Sequence, residues 1–433
     1  MRVGIIGLGL SGIVNVAVLA SFGHKVVAFD DSNQKISFLS KGIVNIQEPD
    51  VNNLLTKYKE NISYTNEISK LKNVDIVIIT LDNEKDKLGK INLDNFYITI
   101  EKIKNEITGG KVILIKTPLP VGTSQAVSRY LESKKFYVAF QSEILFSKTA
   151  VNNFLNPSRI VVGTSSIEAH MVINVLYERF FERKIYIYFT TLQCAELVRA
   201  STINYLMIKD SYINEMNQIC SFLNVDGQDF VNAISQNSQM DLDLMKPSLG
   251  VSGFNFPSND QEPFFIPHLK SKMFSTAISI NHSLPINLVK KIKKRFGDCL
   301  TNVVVGVIGL AVFGTDNDVI NAQSIRLIDC LLEMGASVIA YDNNVEMSFR
   351  EIMGQKRHLK YALDVKALLR KSDCVIIMND CGFLQDLDEN YFVKYMPNKP
   401  IIFDAYDILK LNKSQQIEYH PVSEHDKSPV YAQ

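Results

Sequence analysis

The stretch Val3-Gly4-Ile5-Ile6-Gly7-Leu8-Gly9-Leu10-Ser11-Gly12 decides the fold of this 433-residue chain. A short apolar segment runs directly into a Gly-x-Gly-x-x-Gly turn, and an apolar run follows it. In such a turn the first glycine allows a tight bend, the second lets a diphosphate approach the backbone, and the third lets the helix pack on the strand. The unpaired N–H groups of that helix then face the phosphates. The stretch therefore predicts a strand, a turn and a helix that bind a dinucleotide.

An acidic residue, Asp30, follows the next strand-like segment, residues 25–29. A carboxylate at this point accepts hydrogen bonds from an adenosine ribose and repels the 2′-phosphate of NADP. Asp31 adds to that repulsion. We therefore predict NAD as the cofactor, with its pyrophosphate over Gly9 and its ribose at Asp30. The cofactor-binding residues predicted from this motif are Gly7, Gly9, Leu10, Gly12 and Asp30.

The composition narrows the class of protein. Lys plus Arg and Asp plus Glu number 46 each, and no long basic run is present, so nucleic acid is not expected as a partner. No apolar run of transmembrane length is expected, because the one near the start is interrupted by the glycine turn. The six cysteines show neither metal-ligand spacing nor a disulfide framework. We expect them to be small buried residues of a cytoplasmic protein without a metal site.

Strand-like and helix-like patterns alternate up to about residue 190 and restart at about residue 302. Between them, residues 194–222 contain neither Pro nor Gly and predict one long helix. The pattern predicts an α/β fold of two Rossmann-like domains with parallel sheets, joined by a long central helix and a small helical dimerisation region. The predicted domains are residues 1–192, 193–298 and 299–433. A long helix with an apolar face left over favours a homodimer.

This layout, together with several local strings, resembles the UDP-glucose/GDP-mannose dehydrogenase family. The strings include Glu48-Pro49, Pro120-Val-Gly-Thr123, Phe154-Leu-Asn-Pro-Ser-Arg-Ile-Val-Val-Gly163 and Ala195-Glu-Leu197. The resemblance implies an enzyme that uses two NAD to oxidise a nucleotide sugar at C6 to a uronic acid, as in polysaccharide synthesis. It also implies that Lys35, Glu48 and Thr123 face NAD.

The catalytic positions depart from the family pattern. The family needs a cysteine nucleophile for its second oxidation, and the resemblance places Asn255 at that position. An amide does not form a thioester. The family's lysine on the long helix corresponds to Arg199, and its asparagine one turn later corresponds to Ile203, with Asn204 adjacent. Glu143 matches the first of two family glutamates and is the remaining candidate catalytic carboxylate.

Further family positions are also replaced. The catalytic threonine corresponds to Pro118 and the second glutamate to Ser147, while cations expected around the UDP correspond to Phe313, Ile320 and Tyr406. Two hypotheses follow. The protein is either an NAD-dependent oxidoreductase that stops short of the acid, or a catalytically silent NAD-binding homologue that acts as a regulatory or structural dimer partner. A cysteine from elsewhere, such as Cys194, entering the site would be a third.

Overall fold

The computed structural model describes residues 1–44, 46, 48–82, 91–145, 149–236, 248–251, 271–311, 319, 322–379, 383–409, 411 and 414–422. Four residues discussed above lie outside these ranges: Ser147, Asn255, Phe313 and Ile320. The described residues form two compact units, which divide between Thr202 and Ile203.

The first unit is built on an eight-stranded sheet. Its strands are β1 (Arg2–Ile6), β2 (Lys25–Phe29), β3 (Ile62–Thr65), β4 (Ile76–Ile79), β5 (Val112–Ile115), β6 (Tyr137–Gln141), β7 (Ile160–Gly163) and β8 (Ile187–Thr190). Their order in the sheet is β3-β2-β1-β4-β5-β6-β7-β8. The chain order reverses between β1 and β4, so the carboxyl ends of these two strands form the crevice in which doubly wound folds bind their ligands.

Helices cover the sheet of the first unit. They are α1 (Leu10–Ser21), α2 (Asn33–Ser40), α3 (Val51–Lys57), α4 (Asp94–Glu106), α5 (Thr123–Leu131), α6 (Ala150–Leu155), α7 (Ile167–Leu176) and α8 (Glu178–Phe181). Short 3₁₀ helices lie at Lys59–Asn61, Ile68–Asn73 and Glu132–Lys134. The residues of α1 from Gly12 to Ala20 are all buried. This explains why the sequence there, apart from Asn15, is apolar on every face rather than amphipathic.

One pair of strands in this sheet corrects the prediction of a wholly parallel sheet. β6 and β7 are antiparallel, with Phe140 opposite Gly163 and Gln141 opposite Val162. The chain leaves β6 at its carboxyl end and, after the connection that contains α6, enters β7 at the same end of the strands. β7 must therefore run in the opposite direction, and β8 runs parallel to β7.

The second unit repeats the same topology. Its strands are β9 (Val304–Ile308), β10 (Ser337–Tyr341), β11 (Leu359–Tyr361), β12 (Cys374–Ile377), β13 (Ile401–Asp404) and β14 (Glu418–Pro421), in the order β11-β10-β9-β12-β13-β14. All their pairings are parallel. This order matches that of the first six strands, so the predicted α/β fold of two Rossmann-like domains is confirmed.

The predicted long helix is also confirmed, as α9 (Leu192–Leu223). The helices that follow are α10 (Gly227–Ser235), α11 (Lys272–Phe296), α12 (Gln323–Glu333), α13 (Glu346–Met353), α14 (Val365–Leu369) and α15 (Glu389–Tyr395), with a 3₁₀ helix at Leu384–Asp386. Met207 of α9 packs with Phe274, Ala277 and Ile278 of α11 in one small core. Ser211 adds a hydrogen bond of 3.0 Å to the Ala277 carbonyl oxygen.

Five of the six cysteines lie in the described residues, and the expectation that all are buried is wrong for two of them. Cys220 and Cys374 are buried and Cys330 is partly buried, but Cys194 and Cys299 are exposed. Cys194 lies in the first turn of α9, on its solvent side, where sequence spacing alone did not reveal the exposed face. None of the helices in the described part of the chain has both the length and the apolar character needed to cross a membrane.

Candidate functional site

The glycine turn has the geometry that its sequence predicts. Gly7 has a φ of +92°, a left-handed conformation that favours glycine. Its N–H donates to the Phe29 carbonyl oxygen at 3.0 Å, which fixes the turn against β2. A Cβ on Gly12 would lie 1.9 Å from the Gly7 carbonyl oxygen. That atom belongs to the backbone and has no room to move, so Gly12 is required for α1 to start directly against the turn.

Asp30 lies at the end of β2, beside the same turn. Its Oδ2 accepts a hydrogen bond of 2.9 Å from the Leu8 N–H, and its Oδ1 accepts one of 3.0 Å from the Ser32 N–H. Lys35 Nζ lies 2.9 Å from Asp30 Oδ2. The structure therefore brings together Asp30, Lys35 and the glycine turn, three of the features predicted to hold NAD. Their contact with the cofactor stays a prediction.

Asp82 is a further residue at this turn, and the motif did not reveal it. A Cβ on Gly9 would lie only 2.0 Å from Asp82 Oδ2, so the carboxylate rests directly against Gly9. Loss of water in the crevice raises the pKa of Asp82, and Asp30 raises it further, against the opposing charge of Lys35. The turn and Asp30 have the geometry that a dinucleotide requires, and the Asp82 carboxylate occupies the space beside Gly9.

Glu143 lies just after β6 and is held by three side chains. Lys116 Nζ lies 2.7 Å from its Oε1, and its Oε2 accepts hydrogen bonds of 3.1 Å from the Ser11 hydroxyl and 3.3 Å from Asn15 Nδ2. Ser11 belongs to the glycine turn and Asn15 to α1. The predicted catalytic carboxylate is thus tied directly to the predicted dinucleotide turn.

Lys116, which follows β5, is the cation of this cluster, and its side chain has no exposed surface. Its ammonium also donates to Asn15 Oδ1 at 2.7 Å. Burial is the largest single influence and works against the charged form of Lys116, but the charge of Glu143, a smaller contribution from Tyr177 and the hydrogen bonds to both together outweigh it. The pKa of Lys116 therefore lies above its ordinary value. Lys116 and Glu143 therefore form a buried ion pair. A lysine immediately after a strand of four apolar residues was the signal that could have indicated it.

Arg199, on the first part of α9, also reaches Glu143. Its Nε donates to the Glu143 main-chain oxygen at 3.2 Å. Burial lowers the pKa of Arg199 to about 10, with Glu143 opposing this effect, so the guanidinium stays charged at neutral pH. The structure thus brings together two of the predicted catalytic residues, Glu143 and Arg199.

Of the other two predicted catalytic residues, the structure describes Asn204 but not Asn255. Asn204 belongs to the second unit, where it is buried, and neither atom of its side-chain amide has a hydrogen-bond partner among the described residues. Asn255 lies outside the described residues.

Thr123 is the first residue of α5 and is buried. The start of this helix is capped by another residue, Glu196, whose carboxylate accepts hydrogen bonds of 2.6 Å from the Gly122 N–H and 2.7 Å from the Ser124 N–H. Glu48 has a similar role at α6, where its Oε1 accepts the Val151 N–H at 3.0 Å. Glu48 Oε1 thus contacts the protein backbone, and whether Glu48 and Thr123 also face NAD stays a prediction.

A cavity of about 390 Å³ lies beside Glu143. Its lining includes Glu143, Phe154, Arg159, Tyr177 and Thr202, all within the first unit. The volume is within the range of pockets that bind small molecules. Since Glu143 borders the cavity and contacts Ser11, the cavity and the dinucleotide turn share one carboxylate.

The chain is similar to known dehydrogenases in each of its parts. Residues 1–181 match the NAD binding domain of the UDP-glucose/GDP-mannose dehydrogenase family, residues 193–282 match its central domain, and residues 306–411 match its UDP binding domain. The UDP-glucose 6-dehydrogenase TuaD of Bacillus subtilis is 27% identical over 429 residues, which cover 96% of this chain and 92% of TuaD. The UDP-glucose 6-dehydrogenase of Rickettsia bellii is 28% identical over 433 residues, which cover 97% of this chain and 98% of that protein.

Solved structures share the fold over almost the whole length. A UDP-glucose dehydrogenase from Pyrobaculum islandicum superimposes with a TM-score of 0.83 at 22% identity, covering 98% of this chain and 97% of that one. The UDP-N-acetyl-mannosamine dehydrogenase Cap5O from Staphylococcus aureus gives 0.78 at 18% identity and covers 98% of each. With its three domains matched in order, the chain belongs to the UDP-glucose/GDP-mannose dehydrogenase family, and its first unit carries the NAD-binding domain of that family.

Proposed function

We propose that the protein oxidises the C6 alcohol of a nucleotide sugar with one NAD and releases the aldehyde, without going on to the uronic acid. One observation carries the proposal: the Ser11 hydroxyl of the dinucleotide turn donates to Glu143 at 3.1 Å, and Glu143 borders the 390 Å³ cavity. A substrate in the cavity would therefore lie next to the cofactor. The family match to a UDP binding domain supports a nucleotide sugar as that substrate.

Glu143 and its neighbour Arg199 suit the first oxidation. NAD, when bound, accepts a hydride. Arg199, a fixed positive charge next to Glu143, would stabilise negative charge that develops on the sugar oxygen. Since an arginine is a poor proton shuttle, the alcohol proton would leave to water. Lys116, Ser11 and Asn15 hold Glu143 in place, so Glu143 would orient groups around the cavity.

The second oxidation lacks its nucleophile. The resemblance places Asn255 where the family has the cysteine that captures the aldehyde, and an amide nitrogen is not an effective nucleophile. The aldehyde is therefore the expected end product.

The test is the number of NADH formed per nucleotide sugar. Purified protein is incubated with excess NAD and a panel of UDP- and GDP-sugars, absorbance of NADH is recorded, and the product is trapped with hydroxylamine and identified by mass spectrometry. One NADH per sugar and a trapped aldehyde are expected. Two NADH per sugar and a uronic acid would overturn the proposal. Arg199→Met should reduce the rate at least tenfold, whereas Arg129→Met, a change on α5, should leave it unchanged.

A second candidate function is a catalytically silent NAD-binding protein. Two contacts favour it: Lys116 neutralises Glu143, and Asp82 fills the space beside Gly9. Under this alternative, no sugar of the panel yields NADH although NAD binding is measurable by calorimetry. Steady formation of NADH from any nucleotide sugar would exclude it.

The homodimer is part of the proposal. Tyr205, Tyr212 and Ile219 follow one another at seven-residue intervals along α9, and all three are exposed, as is Phe222 nearby. Such a stripe is typical of a helix that packs against another helix. Light scattering after size exclusion should give twice the chain mass, and Tyr212→Asp should give the monomer. Met171→Asp, which changes an exposed apolar residue on α7, is the matched control and should leave the dimer intact.

The proposal also includes the domain division and the location of the protein. The family match supports three domains, residues 1–192, 193–298 and 299–433. The absence of a disulfide framework in the sequence supports a cytoplasmic location.

A further inference from the structure

The carboxylate of Asp82 lies where the motif leads one to expect a diphosphate. The residue follows β4, and β4 pairs directly with β1, so the carboxyl ends of the two strands are neighbours. Residues after β4 therefore meet the turn that follows β1. A Cβ on Gly9 would be 2.0 Å from Asp82 Oδ2 and 2.8 Å from its Cγ. The side chain occupies the very space that the missing Cβ of Gly9 leaves open.

This contact has an electrostatic consequence. A pyrophosphate carries two negative charges, and a carboxylate at close range in a crevice with little water opposes its binding. The opposing charges nearby do not cancel Asp82, because Lys35 is already paired with Asp30 at 2.9 Å. An incoming pyrophosphate would meet both the volume and the charge of the Asp82 carboxylate.

The Asp82 side chain can move away from Gly9. Although neighbouring atoms remove part of the water from its carboxylate, Asp82 lies at the surface of the crevice and is exposed, so its side chain can turn towards solvent without opening the core. The turn beneath it is fixed independently, by the Gly7 N–H donating to Phe29 and by the Leu8 N–H donating to Asp30. Moving Asp82 therefore uncovers a preformed turn.

We infer that Asp82 sets the affinity of this protein for NAD: its carboxylate occupies the pyrophosphate position beside Gly9, and NAD binds only when that side chain has swung away. The inference concerns binding of the cofactor and holds for either candidate function, since both require NAD. Asp82 thus weakens the binding of NAD, whereas the residues of the glycine motif support it.

The test is calorimetric titration of the full-length protein with NAD. Asp82→Asn keeps the size of the side chain and removes its charge, and Asp82→Ala removes both. We expect NAD to bind at least tenfold more tightly to Asp82→Asn than to the unmodified protein, and more tightly again to Asp82→Ala. Adenosine, which lacks the pyrophosphate, serves as a second probe in ligand-observed NMR, and its affinity should be the same for all three proteins.

Glu60→Gln is the matched control. Glu60 is an exposed carboxylate of the same unit, but it precedes β3 and so lies at the amino ends of the parallel strands, away from the carboxyl ends where Asp82 lies. Its replacement should not change the affinity for NAD. The inference is overturned if Asp82→Asn and Asp82→Ala bind NAD no more tightly than the unmodified protein. An equal gain for adenosine would also overturn it, because the effect would then not depend on the pyrophosphate. Circular dichroism verifies that each variant is folded.

Discussion

Lys116 Nζ lies 2.7 Å from Glu143 Oε1, and the two side chains are 0% and 9% exposed. Removing both charges from water is costly, and the remaining hydrogen bonds to Asn15 and Ser11 offset part of that cost. A buried pair of this kind adds little net stability, but either charge left alone destabilises strongly. The pair therefore fixes the position of the candidate catalytic carboxylate.

Replacing Lys116 tests this role. Lys116→Met should lower the free energy of unfolding of the first unit by about 3–5 kcal/mol, because Glu143 is left as an unpaired buried charge. Urea denaturation followed by circular dichroism and hydrogen exchange measures the loss.

Lys102→Met is the control for this prediction. Lys102 pairs with Asp31 at 2.8 Å on the surface, and its loss should cost less than about 1 kcal/mol. The double variant Lys116→Met/Glu143→Gln should be more stable than Lys116→Met alone. Equal losses for Lys116→Met and Lys102→Met would show that the pair is not desolvated as described.

The sequence predicted those parts of the site that depend on neighbours in the chain. The turn from Gly7 to Gly12 is local, and Asp30 follows from the fixed length of a strand-helix-strand unit. Lys116 and Asp82 were missed because their importance depends on strand order. They follow β5 and β4, and only the order β1-β4-β5-β6 in the sheet places them beside the turn and Glu143.

The antiparallel pair of β6 and β7 also depends on the arrangement of the sheet. Alternating apolar segments predicted strands, but the direction of β7 depends on the end of the sheet's strands at which the connection from β6 enters it. The residue pattern of a short buried strand does not contain that information. The parallel repeat in the second unit was predictable because strand, glycine, helix, strand and acid recur there in the same sequence.

Asp30 and Lys35 should together control the choice between NAD and NADP. We expect NAD to bind at least a hundredfold more tightly than NADP, since Asp30 repels the 2′-phosphate. Asp30→Ser should narrow this preference by releasing Lys35, now paired at 2.9 Å, to meet the phosphate. Calorimetric titration with both cofactors provides the measurement.

Asp30→Ser/Lys35→Met is the control for cofactor choice. Without the lysine, the part of the gain in NADP affinity that comes from attraction to Lys35 should disappear, and the part that comes from the lost repulsion should remain. If the single and double variants bind NADP equally, Lys35 takes no part in the selectivity.

Asp210 on α9 should make the stability of the second unit depend on pH. Burial raises the pKa of Asp210 to about 7, against hydrogen bonds from Asn214 and Ser248. In the unfolded chain an aspartate titrates near 3.9. Between these values the folded state holds a proton that the unfolded state has released. The free energy of unfolding should therefore fall by about 1.4 kcal/mol per pH unit as pH rises from about 4 to 7, and Asp210 should cause no further change above that.

Asp210→Asn should remove this slope and make the unit more stable than the unmodified protein at pH 8. Asp229→Asn, which changes an exposed carboxylate on α10, should leave the slope unchanged. Denaturation at a series of pH values provides the test. Parallel profiles for Asp210→Asn and the unmodified protein would contradict the prediction.

Asp342 in the second unit repeats the role of Asp30, with a different outcome when it is replaced. Its Oδ2 accepts the Leu310 N–H at 2.8 Å, just as Asp30 accepts the Leu8 N–H, and its Oδ1 accepts the N–H groups of Asn344 and Val345. Asp342 is buried, at 3% exposed. Asp342→Ala leaves these backbone donors without their acceptor, and the second unit should lose about 2–4 kcal/mol. Hydrogen exchange at Leu310 should rise in parallel, because its amide loses its partner.

Asp30→Ala should cost the first unit less, since Ser32 and Lys35 are exposed to water that replaces the carboxylate. Similar losses in both units would mean that the two acids support their turns equally, and that Asp30 contributes to folding as much as it does to cofactor choice.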